Sequence, residues 1–332
     1  MILEERIDWL GKLGKYMMGD SPAWKEAKQK AFVENGWFTP EFIELAIRNI
    51  AENYLNPDHL RKWAAHYNVH SLPTNARTIG IVMAGNIPMV GFHDLLSVFT
   101  SGHKALIKLS SKDQALLQQV LNVLVGWKHE MGEQIRSSEI LKGCDAYIAT
   151  GSNNTSRYFE YYFGQYPHII RRNKTSVALL TGHETTMELG QLADDVYQFF
   201  GLGCRNVTKI YVPGGYDFES LLSACRKYEY LADHHKYKNN YDYNLALHIL
   251  NNNFYMTNGS LLLVEGASIF SPISQVNYEY YSDAEQLLTS LSNNQEIQCI
   301  VGHGHVPFGQ AQRPGLFDYA DRVDTMKFLN SL

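Results

Sequence analysis

The sequence predicts an α/β protein in which parallel, doubly wound sheets are covered by helices, preceded by a helical N-terminal region. The first observation is that short apolar runs alternate with segments of helical length, as in parallel α/β sheets. The second is that residues 78–84 form a continuous apolar run, which is typical of a strand buried on both faces. The third is the length of 332 residues, which allows two domains with sizeable cores.

The elements follow from these patterns in chain order. Residues 1 to about 70 are predicted to be helical, because apolar residues recur near helical spacing and Thr39-Pro40-Glu41 supplies a cap, a first-turn proline and an acid. An apolar helical run also precedes residue 199. The other predicted helices are 90–100, 112–128, 152–162, 217–228 and 283–292. The predicted strands are 78–84, 104–109, 146–149, 176–180, 207–212, 260–264, 274–279 and 297–301. The stretch 229–254, rich in Tyr, Asn and His, is assigned no element.

Composition excludes several classes of function. The net charge of −5 gives no basic footprint for nucleic acid, and no apolar run is long enough to span a membrane. The acidic N-terminus does not resemble a signal peptide. The four cysteines are scattered without a C-x-x-C pair, which predicts reduced thiols in a cytoplasmic protein and no structural zinc site. The histidines give only a weak metal signal, so no metal is expected.

The segment Phe199-Phe200-Gly201-Leu202-Gly203-Cys204 carries the strongest chemical signal. Glycines before a cysteine let the backbone approach a bound substrate closely, and a backbone N–H at such a turn can face a developing oxyanion. Cys204 is therefore a candidate nucleophile that would carry an acyl group as a thioester. The alternative is a buried cysteine that packs as a small apolar residue.

Three predicted strands end in polar or glycine-rich turns. Asn86 in Ala-Gly-Asn-Ile-Pro could donate to an oxyanion or could belong to an ordinary Asn/Pro turn. Lys108, followed by Ser110 and Ser111, could hold a ribose or phosphate or could lie on the solvated surface. Thr150-Gly151-Ser152 would suit a phosphate, although Ser152 could be a plain helix cap. Neither dinucleotide nor P-loop glycine fingerprints are present, so a dinucleotide would bind without them.

Taken together in order, these stretches resemble the aldehyde dehydrogenase superfamily, and within it the LuxC-like acyl-CoA reductases of bacteria. The resemblance covers roughly residues 76–332. It includes the strand ending at Lys108, the Thr-Gly-Ser turn at 150–152, Lys174-Thr175-Ser176, the stretch 268–272 and Pro307-Phe308-Gly309. Cys204 follows Lys174 by 30 positions, as in the family. The apolar spacing predicts a helical region at 1–72. The resemblance implies that it is followed by a dinucleotide-binding domain at 73–181, a catalytic domain at 182–310 and a C-terminal segment at 311–332.

The resemblance also implies the roles of individual residues. Cys204 would be the catalytic nucleophile, and Asn86 together with the Cys204 backbone N–H would hold the oxyanion. The implied cofactor-binding residues are Ala84, Lys108, Ser110, Ser111, Thr150, Gly151, Ser152 and Phe270.

Departures from the family pattern refine these implications. Ile170 stands where hydrolytic members have a general-base Glu, which favours acyl exchange with CoA over hydrolysis. Ser111 stands where NAD-preferring members have Glu, so a 2′-phosphate is permitted and NADPH is the expected cofactor. Ser268 replaces the Glu that usually holds the nicotinamide ribose, which puts that contact in doubt.

The implied function is NADPH-dependent reduction of an acyl thioester, such as an acyl-CoA, to an aldehyde through a thioester on Cys204. An aldehyde dehydrogenase and an acyl-phosphate reductase are alternatives, the latter with Arg171 and Arg172 as candidate phosphate-binding residues. A catalytically inactive scaffold protein is a further alternative. The expected partners are the acyl thioester substrate and, as a possibility, further copies of the chain, but no nucleic acid.

Overall fold

The chain forms two compact units, residues 1–173 with 314–332, and residues 174–313. The computed structural model describes residues 1–72 and 75–332. The expected boundary between residues 72 and 73 therefore falls at the edge of a stretch outside the described residues.

Helices and strands alternate through most of the described chain. The α-helices are α1 (Leu3–Met17), α2 (Pro22–Glu34), α3 (Pro40–Asn53), α4 (Pro57–His66), α5 (Phe92–Ser101), α6 (Ala115–Trp127), α7 (Met131–Gln134), α8 (Asn153–Phe163), α9 (Thr186–Tyr197), α10 (Phe218–Ala224), α11 (His235–Leu250), α12 (Ala284–Asn293) and α13 (Thr325–Asn330). The strands are β1 (Thr78–Val82), β2 (Lys104–Lys108), β3 (Ile135–Ser137), β4 (Ala146–Thr150), β5 (His168–Arg171), β6 (Thr175–Leu179), β7 (Val207–Pro213), β8 (Met256–Thr257), β9 (Leu262–Glu265), β10 (Gln275–Tyr281) and β11 (Ile297–Val301).

The predicted helical N-terminal region is confirmed as α1 to α4. Three of these helices begin with a capping side chain followed by proline at the first helical position. The Thr39 hydroxyl accepts a hydrogen bond from the Phe42 N–H at 3.4 Å, as its sequence predicts. The apolar faces of these helices share one buried core with the strands of the first sheet, so the N-terminal region is a packing layer of the first unit.

The first unit contains a parallel sheet with the strand order β3-β2-β1-β4-β5. The chain runs outward from β1 to β3 and then returns to place β4 on the other side of β1. The order therefore reverses between β1 and β4, and their carboxyl ends flank a topological switch point. In open α/β sheets, ligands bind at such a point.

The second unit contains a sheet with the order β11-β6-β7-β10-β9-β8. Its central strands are parallel, as predicted, and the short strand β8 adds one antiparallel pair with β9. The connection from Thr257 to Leu262 includes Gly259 at a φ of 92°, a left-handed conformation that suits a tight reversal. Strand β6 belongs to this sheet because it hydrogen-bonds with β7 and β11, although it lies inside the expected segment 73–181.

Among residues 1–72 and 75–332, no helix has both the length and the apolar character needed to cross a lipid bilayer.

Candidate active site

Cys204 lies in the turn that connects α9 to β7, in the second unit. It is half-buried, whereas Cys144, Cys225 and Cys299 are buried. Burial raises the pKa of the Cys144 thiol, and it raises the pKa of the Cys225 thiol to about 12. Because the thiolate is the nucleophilic form, those two cysteines are poorly suited to attack a substrate. Cys204 is therefore the cysteine best placed for chemistry.

The backbone that leads into the turn has an unusual conformation. Phe199 and Phe200 have φ values of 54° and 57°, and Gly201 continues with a φ of 74°. A left-handed backbone is costly for residues with large side chains. Both phenylalanine rings are buried, and the Phe200 ring packs 4.6 Å from the His234 ring. This packing holds the strained segment in place, so the chain reverses sharply between α9 and Cys204.

The side chain of Asn206 closes the turn. Asn206 is fully buried; its Oδ1 accepts the Gly203 N–H at 2.8 Å, and its own N–H donates to the Gly203 carbonyl at 3.1 Å. Its Nδ2 donates to three carbonyl oxygens at the end of α9, those of Asp195, Val196 and Gln198. One side chain therefore ties the Cys204 turn to α9. Asn206 was not among the predicted site residues.

Ser176, on β6, supports the turn from the sheet. Its hydroxyl donates to the Cys204 carbonyl oxygen at 3.1 Å and accepts the Cys299 N–H at 3.2 Å. The segment Lys174-Thr175-Ser176 was predicted from its motif, and the structure places Ser176 in direct contact with the Cys204 backbone. The described contacts thus fix Cys204 from both the helix and the sheet.

A buried carboxyl group holds the C-terminal glycine-rich loop against the same helix. Asp195 accepts the Gly309 N–H at 2.7 Å and the Ala311 N–H at 2.9 Å. Its burial outweighs these two hydrogen bonds and raises its pKa to about 7. The predicted loop Pro307-Phe308-Gly309 therefore lies near the end of α9 from which the Cys204 turn departs.

Phe270, the predicted cofactor contact of the second unit, lies in the loop between β9 and β10. Its carbonyl accepts a hydrogen bond from the Asn277 side chain at 3.1 Å, and its N–H donates to the Ser268 hydroxyl at 3.2 Å. Ser268 is thus engaged in organising its own loop.

In the first unit, the predicted cofactor residues follow the carboxyl ends of neighbouring strands. Ala84 comes shortly after β1, and Thr150 is the last residue of β4, so both lie at the switch point. The neighbouring Gly85 is packed so closely that an added Cβ would lie 2.5 Å from the Ser110 Oγ. The Gly151 N–H donates to the Arg171 carbonyl at 3.3 Å. The topology therefore brings these turns to one edge of the sheet.

Lys108, Ser110 and Ser111 follow the neighbouring strand β2 at the same edge. Lys108 and Ser111 are exposed, whereas Ser110 is half-buried and its hydroxyl accepts the Lys112 N–H at 3.3 Å. The exposed ammonium and hydroxyl groups provide the donors that an anionic ligand needs. No carboxylate occupies position 111.

Asn86 and Ser152 lie in the turns after β1 and β4. Asn86 is exposed, and it belongs to the first unit, whereas Cys204 belongs to the second. The Ser152 hydroxyl caps α8 by accepting the Thr155 N–H at 3.3 Å. The capping interpretation of Ser152 is thus present, and a role toward a ligand stays a prediction.

The two candidate phosphate-binding arginines of the acyl-phosphate alternative each form an ion pair within the first unit. Arg171 is buried and forms an ion pair with Asp94, and it donates to the Thr325 hydroxyl at 2.9 Å. Arg172 forms an ion pair with Glu160. The burial and pairing of Arg171 argue against a role in binding a phosphate, whereas Arg172 is exposed and stays a candidate.

No clustering of three or more His, Cys, Asp or Glu side chains suited to a metal ion occurs in residues 1–72 and 75–332. The His303 ring pairs with the Glu188 carboxylate at 2.7 Å. This hydrogen bond raises the pKa of His303 and contributes to lowering that of Glu188 to about 2.

Comparison with known proteins gives no match to any protein-family model and none to a curated protein sequence. Solved structures do match the fold. Aldehyde dehydrogenase 21 from Physcomitrella patens, in complex with the reaction product succinate, superimposes with a TM-score of 0.67 and 11% identity over 91% of this chain and 74% of that one. An NADP-dependent enzyme from E. coli gives a TM-score of 0.65 and 10% identity over 91% and 73%.

An aldehyde dehydrogenase from Mycobacterium tuberculosis, complexed with NAD+, gives a TM-score of 0.62 and 12% identity over 87% of this chain and 70% of that one. Identities this low describe the fold and not the activity. The chain has an aldehyde-dehydrogenase-like α/β fold, which confirms the predicted fold class.

Proposed function

We propose that this protein reduces an acyl thioester, such as an acyl-CoA, to an aldehyde with NADPH, through a covalent thioester on Cys204. The observation that carries the proposal is the turn of Cys204. The cysteine is half-buried in a turn that Asn206 and Ser176 fix by hydrogen bonds to its neighbouring backbone. A nucleophile fixed in this way needs little reorganisation before it attacks.

The chain's own residues account for the first half of the reaction. The Cys204 thiolate attacks the carbonyl carbon of the thioester, and the carbonyl oxygen becomes an oxyanion. The Cys204 backbone N–H is proposed as one donor to this oxyanion, and loss of such a donor typically raises a barrier by about 3–4 kcal/mol. The oxyanion then collapses, the bond to CoA breaks, and CoA leaves as a thiolate, so that the acyl group stays on Cys204. The parallel role of the Asn86 side chain rests on the sequence resemblance.

The residues at the edge of the first sheet fit a dinucleotide. Lys108, Ser111 and Ser152 offer ammonium and hydroxyl donors, and the turns after β1 and β4 flank the switch point where such ligands bind. NADPH, when bound, would supply the hydride that converts the cysteine-bound acyl group into an aldehyde. The choice of NADPH over NADH rests on position 111, where a serine leaves room for a 2′-phosphate and a glutamate would repel it.

Ile170 supports reduction over hydrolysis. It is a half-buried residue of β5, paired with Ala149 of β4, and its side chain has no group that could activate water. By the family resemblance, position 170 is where hydrolytic members carry the general base, so an isoleucine there favours acyl exchange over hydrolysis to an acid.

Oxidation of an aldehyde is the second candidate, because one structure with this fold is an aldehyde dehydrogenase complexed with NAD+. The product separates the two candidates. An aldehyde formed from acyl-CoA and NADPH supports the proposal, whereas an acid formed from an aldehyde without CoA supports the alternative.

The proposal is tested by steady-state kinetics with a series of acyl-CoA chain lengths and NADPH. We expect the wild-type protein to consume NADPH and release aldehyde, and Cys204→Ala to lose this activity. Cys144→Ala, which removes a buried thiol of the first unit, is the matched control and should retain it. If Cys204→Ala reduces acyl-CoA at the wild-type rate, the proposal is wrong.

A further inference from the structure

We propose that Asn206 and Ser176 are positioning residues that aim the backbone N–H of Cys204 at the oxyanion of the reacting thioester. This inference rests on the proposed function, since it concerns the same cysteine. It goes further because it gives two buried side chains a role in the reaction. They orient the Cys204 N–H, which would stabilise the transition state, without a proposed contact to the substrate.

The orientation follows from the geometry of the turn. The Gly203 carbonyl accepts the Asn206 N–H at 3.1 Å. In a planar trans peptide, the carbonyl of Gly203 and the N–H of Cys204 point in opposite directions. The hydrogen bond to the carbonyl therefore also sets the direction of the Cys204 N–H, which points away from Asn206.

The Asn206 side chain locks this arrangement. Its Oδ1 accepts the Gly203 N–H at 2.8 Å, so the same residue holds both polar groups of Gly203. Its Nδ2 donates to carbonyls at the end of α9, including Asp195 at 3.0 Å and Gln198 at 2.9 Å. These carbonyls belong to the last turn of a helix, where they lack partners within the helix. An amide side chain suits this position because it carries an acceptor oxygen and an NH₂ group with two donors.

Ser176 fixes the next peptide group. Its hydroxyl donates to the Cys204 carbonyl at 3.1 Å, and it is itself fully buried. With the peptide before Cys204 held by Asn206 and the peptide after it held by Ser176, the backbone dihedral angles of Cys204 are determined on both sides. The direction of the Cys204 N–H and the position of its Cβ, which carries the thiol, are thus set before substrate binds. A donor that is already in place can stabilise the oxyanion without reorganisation.

Two reactions of the same sulfur separate positioning from general structural support. Acylation by an acyl-CoA forms a bond from sulfur to the carbonyl carbon, passes through an oxyanion and releases CoA thiolate. Alkylation by iodoacetamide forms a bond from sulfur to carbon and releases iodide, without an oxyanion. A residue that aims the N–H should affect the first reaction and spare the second. Both rates are read by intact mass, without NADPH.

The test uses Asn206→Asp, which keeps an acceptor for the Gly203 N–H and removes the amide donors to α9. Asn244→Asp is the matched control, because Asn244 is also buried and also donates to a carbonyl, that of Ile273, outside this turn. We expect the acylation rate of Asn206→Asp to fall about 10- to 100-fold, less than the roughly 100- to 1,000-fold expected for a lost oxyanion donor, because the N–H is misdirected and not removed. Its alkylation rate should stay within about threefold of wild type, and both rates should be near wild type in Asn244→Asp.

Ser176→Ala is a second variant, because Asn206→Asp loses several buried hydrogen bonds and can unfold. Circular dichroism shows whether each variant is folded. The same pattern is expected: slower acylation and nearly unchanged alkylation. If Asn206→Asp is unfolded, the result for Ser176→Ala decides the question.

Three outcomes overturn the inference. If acylation and alkylation fall by the same factor in the folded variants, the two residues only support the structure. If acylation is unchanged, the N–H direction does not matter. If wild-type Cys204 is alkylated but never acylated by an acyl-CoA, the proposed function fails, and this inference fails with it. The third outcome is distinguishable from the first two because it is seen in the wild-type protein.

Discussion

Phe199 and Phe200 show how single residues sustain the candidate site. Each has a left-handed backbone, which costs roughly 1–3 kcal/mol for a residue of this kind. Each also buries an aromatic ring almost completely, with 4% and 1% exposed, and complete burial of such a side chain contributes roughly 1.5–3 kcal/mol. The two contributions are of similar size, so packing is sufficient to maintain the reversal of the chain before Cys204.

Ser111 carries the prediction on cofactor preference. Replacing it with glutamate places a carboxylate beside the exposed Lys108 at the end of β2. This carboxylate should repel the 2′-phosphate of NADPH and accept the 2′-hydroxyl of NADH. We expect the ratio of kcat/KM for NADPH over NADH to fall by at least about tenfold, or about 1.4 kcal/mol.

The control for this prediction is Asn122→Glu, which adds the same charge at an exposed position of α6. Its cofactor preference should match the wild type. Equal use of the two cofactors by the wild-type protein would contradict the argument from Ser111, as would an unchanged ratio in Ser111→Glu.

The sequence indicated Cys204 and the motif that contains Ser176, but not the other residues that hold the turn. The glycines before the cysteine predicted a turn, and that turn is present. The left-handed conformations of Phe199 and Phe200 have no sequence signal, because aromatic residues disfavour this region and adopt it only under tertiary constraint. Asn206 could not be singled out either, since its role depends on carbonyls at the end of α9 that only the fold brings to it.

Helix α9 organises the second unit around the candidate nucleophile. Its first turn is a capping box, in which the Thr185 hydroxyl accepts the Glu188 N–H and the Glu188 carboxylate accepts the Thr185 N–H. Its last turn carries Asp195, which holds Gly309 and Ala311. The helix therefore anchors both the Cys204 turn and the C-terminal loop.

The raised pKa of Asp195 predicts a pH dependence for this loop. Its pKa is raised to about 7 by burial, against about 3.9 for an unfolded chain. Because the folded-state pKa of Asp195 is raised, its contribution to the stability of the closed loop is fully present below about pH 4. This contribution is lost as the pH rises to about 7. Between pH 5 and pH 8 the loss should be on the order of 2 kcal/mol.

Hydrogen exchange checks this prediction. After correction for intrinsic rates, the amides of residues 302–313 should be less protected at pH 8 than at pH 5. Asp195→Asn should remove most of this pH dependence, whereas Asp242→Asn, a substitution on the exposed surface of α11, should not. Protection that is constant from pH 5 to pH 8, or that rises with pH, would contradict the prediction, because only a raised folded-state pKa makes the open state more favourable as the pH rises.

The sequence predicted the elements that have a clear apolar pattern. Six strands were predicted from continuous apolar runs, which are buried on both faces: β1, β2, β4, β6, β7 and β11. The edge strands β3 and β5 were missed, since they are short and have exposed residues. Helix α11 was missed because its apolar residues follow no helical stripe, and its Tyr and Asn side chains gain burial only from the packed fold.

At the scale of the whole chain, the C-terminal segment returns to complete the first unit. Residues 314–332 contribute Tyr319, Met326 and Leu329 to the core that the N-terminal helices share with the first sheet. The Trp63 indole donates to the Tyr319 hydroxyl at 2.9 Å, and the Leu329 carbonyl contacts the His103 ring at 3.1 Å. The unit is thus built from sequence segments more than 140 residues apart.

Met326 tests this organisation. Its side chain is fully buried, and Met326→Ala should lower the free energy of unfolding of the first unit by about 2–5 kcal/mol, the range for such a cavity. All five tryptophans lie in residues 1–173, so their fluorescence during urea unfolding reports on this unit. Lys327→Ala, at an exposed neighbour, should change the value by less than about 0.5 kcal/mol. A similar small change in Met326→Ala would show that the C-terminal segment is dispensable.

The fold class could be predicted because the alternation of buried strands with helices along the chain is sufficient to indicate a parallel α/β sheet. The return of the C-terminal segment to the first unit could not, since no local pattern in residues 314–332 states which core they enter. The arrangement of the turns that follow the strands could not be predicted either. The sequence placed each turn at the end of a strand, but only the strand order shows that the turns after β1 and β4 flank the switch point.

The central claim is that Cys204 accepts an acyl group from a thioester, and the most direct test is the intact mass of the protein after incubation with a long-chain acyl-CoA and no NADPH. The account predicts a gain of one acyl group in the wild-type protein and none in Cys204→Ala. The absence of an adduct with every chain length, or an equal adduct in Cys204→Ala, would contradict it.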